Sequence, residues 1–103
     1  MKIEEKIKLN QLYDIYGELL TEKQREYYEY YYLQDYSLSE ISDLLNVSRN
    51  AVHMQLKNVV KYLEEYEKTL QILRKKDLVS ALIKKIDDND ISMETIKSEL
   101  EKV

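Results

Sequence analysis

Ser37-Leu38-Ser39-Glu40-Ile41-Ser42-Asp43-Leu44-Leu45-Asn46-Val47-Ser48-Arg49-Asn50-Ala51-Val52-His53-Met54-Gln55-Leu56 is the stretch that decides the fold. Ser37 and Glu40 stand at capping-box spacing, where the hydroxyl accepts from a first-turn amide and the carboxylate reaches back to the cap. A short helix follows, with Leu38, Ile41, Leu44 and Leu45 expected inward. Asn46 ends it, because Asn is the usual second choice after Gly for a left-handed residue. Ser48 then caps a second helix, held by Val52 and Leu56, with Val47 plugging the angle between the two. Small Ser42 and Ala51 permit close approach. The stretch reads as a helix-turn-helix over about residues 37–56.

The outward positions of the second helix and its cap are Ser48, Arg49, Asn50, His53, Met54 and Lys57. Arg and Asn can each bond a purine edge with two hydrogen bonds, and a helix N-terminus attracts phosphate. These six form the candidate nucleic-acid-binding set. A helical corner used only for packing would leave the same side chains solvated.

Outward from this stretch, every signal is helical. The chain holds one glycine (Gly17), no proline and 44% hydrophobic residues, a composition that suits helices and starves hairpins of turn residues. The first helix is expected at about 3–18, with Leu9, Leu12, Tyr13, Tyr16, Leu19 and Leu20 inward and Gly17 as its stop. Thr21 and Gln24 repeat the capping-box spacing, so a second helix runs from about Glu22 to Gln34. Ten tyrosines and no Phe or Trp replace the usual aromatic core. Tyr27, Tyr28, Tyr31 and Tyr32 share one helical face, which favours core filling with hydroxyls at the rim over stacking on bases.

After Ser48 the apolar residues Val52, Leu56, Val59, Leu63, Tyr66, Leu70 and Leu73 are spaced 4-3-4-3-4-3, a heptad seam. It could hold one long helix inside a monomer or pair two chains. Its length favours a homodimer, with Leu63, Tyr66, Leu70 and Leu73 as the dimerisation residues. Asp77 is expected to open a further segment bearing Leu78, Leu82, Ile83 and Ile86, and Ser92 caps a last helix with Ile96, Leu100 and Val103. The domain expectation is a helix-turn-helix domain with its long helix over 1–76, and a helical extension over 77–103 packed on it.

Charge argues mildly against nucleic acid, since 20 acidic residues outnumber 16 basic ones. The acidity lies at the ends: residues 37–76 carry 7 basic and 5 acidic side chains. Without cysteine there is no disulfide, thiol nucleophile or thiolate metal site. His53 is the only histidine, which leaves zinc without a ligand set. Asp88, Asp90 and Glu99 mimic a calcium loop, but Met93 stands where such a loop needs Gly. No phosphate loop or catalytic triad is present, so a non-enzyme without cofactor is expected. No apolar run nears the roughly 20 residues that span a bilayer, and the N-terminal residues lack a signal-peptide block, so a cytoplasmic protein is expected.

Leu20-Thr21-Glu22-Lys23-Gln24, Tyr31-Tyr32, Asp35-Tyr36-Ser37-Leu38-Ser39-Glu40-Ile41 and Val47-Ser48-Arg49-Asn50-Ala51-Val52, in that order, resemble sigma factor region 4. They are closer still to the YlxM family of small bacterial helix-turn-helix proteins. The resemblance covers about residues 5–75, with Ser42 and Asn46 where sigma-like versions commonly hold Ala and Gly. It implies an all-α, sigma region 4-like fold with a long recognition and dimerisation helix followed by C-terminal helices. It also implies a bacterial regulatory protein linked, through gene neighbourhood, to the signal recognition particle. The leading expectation is a DNA-binding regulator. The alternative is a module that binds protein or RNA of the signal recognition particle without sequence-specific DNA binding.

Overall fold

The computed structural model describes residues 2–103. Among them stand six helices and no strand: α1 (Ile3–Tyr16), α2 (Glu22–Tyr28), α3 (Leu38–Leu45), α4 (Arg49–Leu70), α5 (Ile72–Asp87) and α6 (Met93–Glu101). The all-helical expectation holds. The chain divides into two compact units, the first ending at Leu70 and the second spanning Gln71–Val103.

In the first unit α4 is the central rod, and α1, α2 and α3 all pack on it. Its heptad positions Val52, Leu56, Val59 and Leu63 are buried, with Val52, Val59 and Leu63 fully so. They meet Leu9, Leu12 and Tyr16 of α1, Tyr27 and Tyr28 of α2, and Ile41 of α3 in one core. Both expected capping boxes form. The Thr21 hydroxyl accepts from Gln24 N–H at 3.1 Å while Gln24 accepts from Thr21 N–H at 2.9 Å. Ser37 and Glu40 do the same, each at 3.0 Å.

Tyrosines do the work usually given to Phe. Tyr13 stacks on Tyr28 with ring centroids 4.2 Å apart, and Tyr28 leans on Tyr32 at 4.6 Å. The Tyr28 hydroxyl donates to Asn10 Oδ1 at 2.6 Å, and that of Tyr16 donates to Glu67 Oε1 at 2.7 Å. Each buried ring thus keeps its polar tip satisfied. Burial pushes the phenols of Tyr13, Tyr28 and Tyr32 above the usual tyrosine range, because a phenolate is poorly solvated there. Beyond Tyr28 the helix widens into a π-helical turn, Glu29–Leu33, closed by Gln34 N–H on the Glu29 carbonyl at 2.9 Å. Of the four expected core tyrosines, Tyr27, Tyr28 and Tyr32 are buried and Tyr31 is half-buried.

Gly17 ends α1 as expected, standing as its C-cap residue with φ −55° and opening a 3-10 turn, Gly17–Leu19. A Cβ there would sit 3.3 Å from the Tyr13 ring, closer than ordinary contact. Three local expectations need correction. Leu19 and Leu44, expected inward, are 55% and 54% exposed. The seam does not run through one helix to Leu73, because Gln71 is left-handed (φ 54°) and breaks it after Leu70. Asp77 accordingly lies inside α5 rather than at its start.

In the second unit, α5 turns through Asp88, left-handed Asn89 and Asp90 into α6. Ser92 caps α6 as expected, its hydroxyl accepting from Thr95 N–H at 3.2 Å. Leu73 and Leu82 of α5 are buried, whereas α6 has no fully buried residue.

Candidate nucleic-acid interface

Recognition by a helix requires that the helix be held rigidly at its tip. Here the turn between α3 and α4 is pinned by one residue acting twice. The Ser42 carbonyl accepts from the N–H of Asn46, which is left-handed (φ 54°, ψ 47°), and from that of Val47 at 3.1 Å. The Ser42 hydroxyl donates back to the Val47 carbonyl at 2.6 Å. A serine thus satisfies the tight turn where a small residue alone would only make room for it. Ile41 and Val52, both fully buried, lock the two helices behind the turn.

Ser48 caps α4, its hydroxyl oxygen accepting from Ala51 N–H at 3.0 Å. That bond uses a lone pair and leaves the hydroxyl proton to donate to an approaching anion. Arg49, Asn50, His53, Met54 and Lys57 are all exposed on the first turns of α4, and Ser48 is exposed at its tip. At about 100° per residue the five helical positions fall within an arc of roughly 140°. The buried Val52, Leu56 and Val59 fall outside that arc, with Leu56 beside its Arg49 edge. All six candidates are therefore exposed, five within one arc of α4 and Ser48 at its tip. Of the two acids of α3, Glu40 is engaged by the Ser37 cap, while Asp43, nearer the corner, is exposed.

Lys61, one turn beyond Lys57 and also exposed, extends the basic edge of the same arc. The helix-turn-helix pattern marks only residues close to the turn; the four-residue spacing of Lys61 from Lys57 is the signal the sequence carries for it. Beside the arc, Tyr31, Leu38, His53 and Lys57 line a shallow concavity, so one wall of the surface comes from the tyrosine segment.

The four expected dimerisation residues are dispersed. Leu63 is fully buried in the core of the first unit. Tyr66 is half-buried, its ring tilted against Tyr16 at 5.9 Å. Leu70 is 43% exposed at the end of α4, and Leu73 lies past the break, buried in α5. Among the described residues no three His, Cys, Asp or Glu side chains converge as a metal site, Asp88, Asp90 and Glu99 included. No helix among them is long and apolar enough to cross a membrane.

Comparison with known proteins matches residues 3–103 to the UPF0122 family, described as "Putative helix-turn-helix protein, YlxM / p13 like". A UPF0122 protein of Mycoplasma capricolum is 40% identical over 101 residues, covering 98% of this chain and 89% of the relative. One from Clostridium novyi is 47% identical over 94 residues, covering 87% and 82%. Another from Oceanobacillus iheyensis is 48% identical over 79 residues, covering 77% and 75%. Nearly the whole chain is matched, and the matched description is the architecture built above from Ser37 to Leu56. The chain belongs to the UPF0122 family of YlxM/p13-like helix-turn-helix proteins.

Proposed function

We propose that this protein is a DNA-binding regulator that reads duplex DNA with the first turns of α4. The observation that carries the reading is the open arc of Arg49, Asn50, His53, Met54 and Lys57 on a helix whose tip is pinned by Ser42 and Ser48. Arg49 and Asn50 lie nearest the helix start, where a recognition helix meets base edges. Lys57 and Lys61 lie further along, suited to phosphates on the groove wall. The hydroxyl of Ser48 donates to a backbone phosphate at the tip. Two copies acting together would engage half-sites about 34 Å apart. The work is cytoplasmic, and it serves the signal recognition particle pathway.

Charge favours a second reading, a module that binds RNA or protein of the signal recognition particle. The net charge is −4, and Arg49 is the one arginine on the reading helix. A titration at controlled salt against genomic DNA fragments and signal recognition particle RNA separates the two. Arg49→Ala is expected to weaken binding to a preferred DNA sequence by about 1–3 kcal/mol and relax specificity. Lys57→Ala is expected to weaken all sequences alike and to shallow the salt dependence. Binding to the RNA alone supports the second reading. No binding to either at low salt, where phosphate attraction is strongest, defeats nucleic-acid recognition altogether.

A further inference from the structure

The second unit, Gln71–Val103, is an α5–α6 hairpin with an incompletely covered apolar side. In α5, Ile83 and Ile86 are 52% and 41% exposed, on a strip next to buried Leu82. Met93, Ile96 and Leu100 of α6, with Val103 just beyond its end, stand at helical spacing. Three of them are 80%, 50% and 41% exposed (Met93, Leu100 and Val103), and Ile96 is half-buried. Units below about 40 residues seldom complete a core without a disulfide, a metal or a second chain. This unit has no cysteine, and no metal cluster is found among the described residues.

The charge pattern identifies what fits. Residues 72–87 carry five basic and two acidic side chains, and residues 88–103 carry two basic and five acidic. The unit is neutral as a whole, with a basic half and an acidic half. Such a surface gains nothing from a uniformly acidic or basic partner, but it is complementary to itself when inverted. A two-fold axis does just that, presenting the same patch from both copies. A standard interface takes about 20–30 residues a side, so a pairing of one face of this hairpin falls at the small end of that range, and both helices must contribute.

We infer that α5 and α6 form a homodimerisation surface, in which two hairpins pair about a two-fold axis into a four-helix layer. The basic α5 of one copy lies along the acidic α6 of the other, with Ile83, Ile86, Leu100 and Val103 between them. This inference does not depend on nucleic-acid binding. It moves the contact between copies away from Leu63, which the core of the first unit already holds.

Sedimentation equilibrium on the full chain tests it. Wild type at micromolar concentration is expected at about twice its 12.4 kDa mass. Ile83→Glu with Leu100→Glu is expected to weaken association by about 100-fold or more, because like charges then face each other across a desolvated contact. Circular dichroism checks that helicity is retained. The discriminating pair exchanges charge: Lys84→Glu/Lys85→Glu in one chain and Glu99→Lys/Glu101→Lys in the other. Each alone is expected to be monomeric, and an equimolar mixture is expected to restore a dimer, which damage to folding would not do. A wild type that stays monomeric at 100 times that concentration overturns the inference. So does a dimer that survives either exchange unmixed.

Discussion

The two units solve the burial problem in opposite ways. In the first, one helix, α4, is covered by three others, and its heptad residues vanish into a core shared with tyrosines from α1 and α2. In the second, two helices carry a comparable density of apolar residues but leave most of them partly open, and α6 buries none fully. Heptad spacing in a sequence does not say what covers the stripe. Val52, Leu56, Val59 and Leu63 follow the coiled-coil pattern and are nevertheless internal, while the self-complementary surface is the one with the less regular pattern.

That contrast breaks most sharply at Leu63. Leu63→Ala is expected to destabilise the chain by about 2–5 kcal/mol, the cost of a cavity in a packed core. Urea unfolding at submicromolar concentration would measure it; a loss under 1 kcal/mol would mean that the residue is not internal. The next effect is set by pH. The raised phenols of Tyr13, Tyr28 and Tyr32 favour the neutral form in the folded state over the unfolded one, whose ordinary value is 10.0. The stability they contribute is complete below pH 10 and is lost as pH rises beyond it, since the unfolded chain releases these protons first. Melting temperature is expected to fall above pH 10. Tyr28→Phe should flatten that fall, and an unchanged slope would show that the Tyr28 hydroxyl is not the source.

A smaller effect belongs to the turn. Ser42→Ala removes the hydroxyl that donates to the Val47 carbonyl at 2.6 Å. A loss of about 1 kcal/mol is expected, with a larger drop in nucleic-acid affinity than that stability loss explains, because the tip of α4 loosens. Equal drops would make Ser42 merely structural. The smallest effect is expected in the second unit. Leu100→Ala, at concentrations below any dimerisation, should change stability by less than about 0.5 kcal/mol. A core-sized loss there would show that α6 is buried after all and would erase the contrast between the units.

Much of the candidate interface was legible in the sequence. The caps at Thr21, Ser37, Ser48 and Ser92 all form, because a cap is a bond between a side chain and a backbone group three residues away. The left-handed turn at Asn46 and the outward set from Ser48 to Lys57 followed from the same short-range reasoning. The second role of Ser42 was not legible: small size predicted closeness, but the bond to Val47 depends on how the turn closes. Nor was the break at Gln71, where neither Gly nor Asn signals a left-handed residue and the apolar spacing continues through to Leu73.

The sequence by itself determined what local chemistry determines: the helical character of the segments, the caps at Thr21, Ser37, Ser48 and Ser92, the turn and the polar face of the reading helix. Period 3.6 and three-residue capping bonds act within one or two turns, so no distant residue need be known. Only the tertiary structure decided which apolar stripe is covered by its own chain. Leu63 and Leu100 are both leucines on amphipathic helices, yet one is fully buried and the other is 50% exposed. The difference lies in what packs over each, and hydrophobic attraction, having no direction, leaves that choice to the assembly of the whole chain.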